Sequence, residues 1–105
     1  LKDFSNLASE GFLTGSSVLI QGAGPLGIVH LIMARIIGAG TIIVLDKSNY
    51  RLDVAKTFGA DLTINIDSFN KEEITEQIFS KTFGRGVDVA VECVGLPEAL
   101  PQAID

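Results

Sequence analysis

The 105-residue sequence has one cysteine, one histidine, one methionine and no tryptophan. Its single thiol, Cys93, cannot close an internal disulfide or complete a multi-cysteine metal site, and such sparing use fits a reducing cytosol. No apolar run approaches the roughly twenty residues that span a bilayer. The opening Leu1-Lys2-Asp3-Phe4-Ser5 has no secretory pattern, so a cytoplasmic location is expected and a membrane partner is not. No run of basic residues exceeds two and the formal net charge is -5, which argues against a nucleic-acid footprint. The only methionine is Met33, and with no initiating residue the sequence is expected to be a piece of a longer chain.

What is present is core-forming material: 47% of residues are hydrophobic and 20% charged, the profile of one globular domain with no room for a second. Its organising stretch is Val18-Leu19-Ile20-Gln21-Gly22-Ala23-Gly24-Pro25-Leu26-Gly27, a strand that breaks into glycines and then into an apolar helical pattern. Gly22, Gly24 and Gly27 fit GxGxxG, in which the first glycine makes the turn, the second admits a pyrophosphate and the third lets helix pack on strand. The helix start offers free N–H groups to that phosphate. Alone the pattern is weak, but a second strand, Thr41 to Leu45, ends at Asp46, about twenty residues on, where a ribose-binding acid belongs.

Along the chain, Phe4, Leu7 and Ala8 predict a short helix within residues 2–12. Leu26, Val29, Ile32, Met33 and Ile36 give a 3.6-residue stripe that predicts the first long helix. Ile28, Leu31 and Ile37 widen its apolar surface, as in a helix lying between a sheet and a second partner. After strand two, Ser48 or Asn49 caps a helix over Tyr50 to Phe58 with Leu52, Ala55 and Phe58 inward. Leu62 to Asn65 is a third strand, and Ser68 or Asn70 then caps a helix with Glu72 and Glu73 in its first turn and Lys81 near its end. A fourth strand is expected over Val87 to Val94, followed by a helix starting between Pro97 and Leu100. This alternation predicts an α/β doubly wound parallel sheet, a partial Rossmann fold with strand order 3-2-1-4 that opens a cofactor crevice between strands one and four. A complete dinucleotide fold continues through two more strands, so the sequence reads as a truncated NAD-binding domain.

The glycine stretch, Asp46 with Arg51-Leu52 and Ala55-Lys56, Phe58-Gly59-Ala60-Asp61, and Gly86-Val87-Asp88-Val89-Ala90-Val91-Glu92-Cys93-Val94-Gly95 together resemble the cofactor domain of the medium-chain, zinc-dependent alcohol dehydrogenase family. The form Gly-Ala-Gly-Pro-Leu-Gly resembles the polyol, threonine and alcohol dehydrogenase branches more than the zinc-free quinone reductases. The resemblance implies NAD as cofactor, with the backbone of Gly24, Pro25 and Leu26 meeting the pyrophosphate and the Leu26 side chain behind the nicotinamide. It implies that Asp46 accepts from the adenosine ribose hydroxyls, with Lys47 and Arg51 beside it, and that Cys93, Val94 and Gly95 line the nicotinamide ribose. It further implies a homo-oligomeric parent acting on a small alcohol, polyol or carbonyl compound, with catalytic residues and a zinc site in a separate domain outside this chain.

Two other function classes share a glycine loop: NAD-sensing modules of the kind attached to potassium transport, and methyltransferases that bind S-adenosylmethionine. The methyltransferase loop more often places one residue between its last two glycines, where Pro25 and Leu26 stand here. His30, one turn into an apolar helix, reads as structural, Met33 as core, and Cys93, with no histidine adjacent in sequence, as a small apolar filler. Asp88 and Glu92 lie about 13 Å apart along one strand face, too far for a paired acid and base, and are expected to be structural. Glu72, Glu73 and Glu76 read as a solvated helix face.

Overall fold

The computed structural model describes residues 14–93. Four strands, β1 (Ser17–Gln21), β2 (Thr41–Asp46), β3 (Leu62–Asn65) and β4 (Val89–Glu92), alternate with α1 (Pro25–Ile37), α2 (Asn49–Thr57) and α3 (Lys71–Lys81). All strand pairs are parallel, in the order β3-β2-β1-β4. The expected helix within residues 2–12, the one after Pro97, and the positions of Val94 and Gly95 lie outside the described residues.

Alternation along the strands builds a core on each face of the sheet, as a pleat with period two requires. Val18, Ile20, Ile42, Val44 and Val91 point to one side, where Leu31 and Ala34 of α1 and Leu52 and Ala55 of α2 complete a buried cluster. Leu19, Ile43 and Ile64 point to the other, against Ile74 and Ile78 of α3. Helices therefore cover both faces, and every strand delivers its carboxyl end to the same edge.

The buried stripe of α1 is Gly27, His30, Leu31 and Ala34; of the expected stripe Leu26 and Met33 pack against the core, whereas Val29, Ile32 and Ile36 face outward. Small residues decide this, since Gly27 and Ala34 let the helix axis approach the sheet where a branched side chain would hold it off. Two expectations need correction. Phe58 is not inward: it is the C-cap of α2, with 46% of its surface exposed. Strand four is shorter than Val87 to Val94. Gly86 turns with φ +78°, and at Asp88 side-chain bonds supplement the ladder: the Ser17 N–H donates to Asp88 Oδ2 (2.8 Å) and the Asp88 N–H to Ser17 Oγ (3.0 Å). That gives Asp88 the structural role expected of it.

Candidate dinucleotide site

The glycine loop starts where β1 ends. Gly22 has φ +115°, a left-handed conformation that a side chain disfavours, and its N–H donates to Leu45 O of β2 (2.7 Å), which tucks the turn against the neighbouring strand. Gly27 is needed for a different reason: a Cβ built there would stand 1.8 Å from Gly22 O, so the first turn of α1 lies directly on the loop that precedes it. Gly24, the N-cap residue, has ordinary torsions (φ -72°, ψ -172°), so backbone strain does not call for a glycine there.

The N-terminus of α1 differs from those of its neighbours. Ser48 caps α2 by accepting from the Arg51 N–H, and Asn70 and Glu73 form a reciprocal capping box on α3, so the cap of α3 is Asn70 rather than Ser68. Gly24 has no side chain to cap α1, Pro25 has no N–H, and the first turn contains no acid. The N–H groups of Leu26 and Gly27 thus face the mouth of the loop at the positive end of the helix dipole, a donor set suited to an anion.

Asp46 closes the other side. Its Oδ2 accepts from the Ala23 N–H (2.7 Å) and its Oδ1 from the Ser48 N–H (2.8 Å), so one carboxylate fastens the tip of the glycine loop to the start of α2. Each oxygen retains a further lone-pair direction for a ligand hydroxyl. The bond from Ala23 was not legible in sequence, because it depends on how the loop folds back over β2. Lys47 and Arg51 flank the acid with exposed side chains.

Cys93 continues β4 by donating its N–H to Gln21 O (2.8 Å), which sets it at the same sheet edge. The structure also brings His30 to it across 63 positions of sequence: Cys93 Sγ is 3.7 Å from His30 Nδ1. That pair does not make an activated thiol. His30 Nδ1 is 2.9 Å from Leu26 O, a group that can only accept, so this nitrogen carries a proton and cannot take one from sulfur. Burial, and then the Glu92 carboxylate, push the Cys93 thiol above its ordinary value, further from a thiolate. The structural readings of His30 and Cys93 fit this geometry.

Gly22, Gly24, Pro25, Leu26, Gly27, Asp46, Lys47, Arg51 and Cys93 therefore converge on the carboxyl edge of β1, β2 and β4. An open groove of about 570 Å³ lies elsewhere, along α3 and the start of β3, lined by Leu62, Phe69 and Lys81 among others, and includes none of these residues. Among the described residues no group of three or more His, Cys, Asp or Glu side chains is placed to hold a metal. No helix of the described residues is long and apolar enough to cross a membrane.

The family model for zinc-binding dehydrogenases matches residues 25–105. The chain is 43% identical over 94 residues to L-threonine 3-dehydrogenase of Pyrococcus horikoshii, covering 90% of this chain and 26% of that protein. To sorbitol dehydrogenase of Bacillus subtilis it is 44% identical over 90 residues, covering 86% and 25%. An alcohol dehydrogenase of Thermotoga maritima superposes with a TM-score of 0.79 at 38% identity, over 94% of this chain and 28% of that one. The chain thus spans about a quarter of the length of the curated relatives it matches. These relatives are dehydrogenases, so the sensing-module and methyltransferase alternatives are not favoured. Because the match runs through most of the sequence and the likeness holds in the fold as well, the chain belongs to the zinc-binding dehydrogenase family.

Proposed function

We propose that this chain is the NAD(H)-binding part of a zinc-dependent dehydrogenase that moves hydride between an alcohol or polyol and the nicotinamide. The observation that carries the reading is the 2.7 Å bond from the Ala23 N–H to Asp46 Oδ2, which joins the phosphate-binding loop and the ribose-binding acid into one preformed surface. The Leu26 and Gly27 N–H groups receive the pyrophosphate, and the spare lone pairs of Asp46 accept from the adenosine ribose. Cys93, at the end of β4, lies on the nicotinamide side. Bound NAD supplies the hydride acceptor; the residues of this chain bind and orient it. The zinc ligands and catalytic residues belong to the parent protein outside this domain, and the parent is a cytoplasmic homo-oligomer.

Calorimetric titration of the full-length parent with NAD and NADP tests the reading. NAD is expected to bind more tightly, because the Asp46 carboxylate accepts from a ribose hydroxyl and repels a 2′-phosphate. Equal or tighter binding of NADP would overturn it.

A further inference from the structure

Asn65, the last residue of β3, stands opposite Asp46 in the parallel β2–β3 pair. Its carboxamide makes three bonds. Asn65 Nδ2 donates to Lys47 O (3.1 Å) and to Asn49 Oδ1 (2.7 Å), while Asn65 Oδ1 accepts from the Asp67 N–H (2.9 Å). The orientation of the amide is fixed by its backbone partners, since Lys47 O can only accept and the Asp67 N–H can only donate. Beside it, the Ile66 N–H donates to Asp46 O (3.1 Å). The turn from Asp46 to Asn49 is therefore held from two directions: the Asp46 side chain fastens it to the glycine loop, and the Asn65 side chain fastens it to the end of β3.

We propose that Asn65 is a positioning residue for the adenosine half of the dinucleotide, holding the Lys47–Asn49 backbone so that the Ser48 N–H keeps Asp46 aimed at the ribose. The inference rests on the proposed NAD(H)-binding function. Asn65 touches Asp46 by neither of its side-chain polar atoms in the hydrogen bonds above; it acts through the Lys47 carbonyl and the Asn49 side chain. Without those bonds the turn samples other conformations, and the apparent dissociation constant rises by the inverse of the competent fraction.

The test measures binding of ADP-ribose and of nicotinamide mononucleotide to the full-length parent, unmutated and as Asn65→Ala and Asn49→Ala, alongside thermal melts. Of the three bonds lost, the two from Asn65 Nδ2 to Lys47 and Asn49 hold the turn, and their loss predicts that Asn65→Ala weakens ADP-ribose on the order of tenfold, with nicotinamide mononucleotide unchanged. Asn49→Ala removes one partner at an exposed helix position and should weaken ADP-ribose about threefold, which keeps the test decisive if Asn65→Ala fails to fold. An equal loss for both probes, or no loss for ADP-ribose in a folded variant, would overturn the inference and leave NAD binding standing. Failure of the unmutated parent to bind ADP-ribose would overturn both.

Discussion

At the scale of single residues, Asp46 fastens the glycine loop to the start of α2, and in the proposed function it also accepts from the ribose. Charged hydrogen bonds of the kind it would offer the ribose are worth about 1.5–3 kcal/mol, so Asp46→Ala in the parent should cost roughly tenfold or more in NAD affinity, measured by calorimetry. The same change strands the Ala23 and Ser48 N–H groups, so the unliganded protein should also melt at a lower temperature. Gly27→Ala is the sharper structural test. Its Cβ would overlap Gly22 O, and the backbone shift needed to relieve that contact should destabilise the fold by about 1–3 kcal/mol in urea titration and abolish cofactor binding. Cys93 gives a pH dependence with a definite sign. Its raised folded value means that the stability it contributes is complete below an ordinary thiol pKa of 9.0 and is lost as pH climbs through the higher folded value. Stability of the unmutated chain should therefore fall above pH 9.0 more steeply than that of Cys93→Ala, as followed by urea midpoints. The glycines and the acid were legible in sequence because turn chemistry and spacing are local properties. The Ala23–Asp46 bond, the Asn65 carboxamide and the His30–Cys93 contact were not, since each joins segments that only the folded sheet brings together.

At the scale of elements, boundaries followed from caps and glycine stops, and the errors arose where one-dimensional patterns are degenerate. Helix α1 is apolar almost all round, so a periodic stripe is a poor guide to its buried face, which side-chain volume decides. The choice is testable: Leu31→Ala should cost about 2–5 kcal/mol by cavity formation, whereas Ile36→Lys, at a position 79% exposed, should leave stability within about 0.5 kcal/mol. On α3 the capping box carries more than a solvated acidic face, because Glu73 Oε1 accepts from the Asn70 N–H while Asn70 Oδ1 accepts from the Glu73 N–H. Asn70→Ala should lower stability by about 1 kcal/mol, read as a shift in melting temperature. Arg35 and Asp61 pair at 2.9 Å, and Asp61 Oδ2 also accepts from the Ile42 N–H (2.8 Å), tying α1 to β2 through the loop after α2. Nothing in the spacing of Arg35 and Asp61 announced that tie, which exists only because β3 lies next to β2.

At the scale of the whole molecule, strand order was legible because right-handed crossovers leave few ways to wind four parallel strands. The resulting geometry puts an uncapped helix start, an acid and the end of β4 on one edge, and the proposed function follows from that convergence. Because the proposed function puts the zinc ligands and catalytic residues in another domain, the 105-residue chain prepared alone is expected to bind dinucleotide weakly and to show no alcohol oxidation. The central claim is that the dinucleotide lies on the glycine loop and Asp46. Amide chemical-shift mapping of the 105-residue chain, titrated with millimolar NAD, tests it most directly, since it registers weak binding residue by residue. The account predicts that the largest shifts fall on Gly22, Ala23, Leu26, Gly27, Asp46 and Ser48. Shifts confined to the groove between β3 and α3 would contradict it.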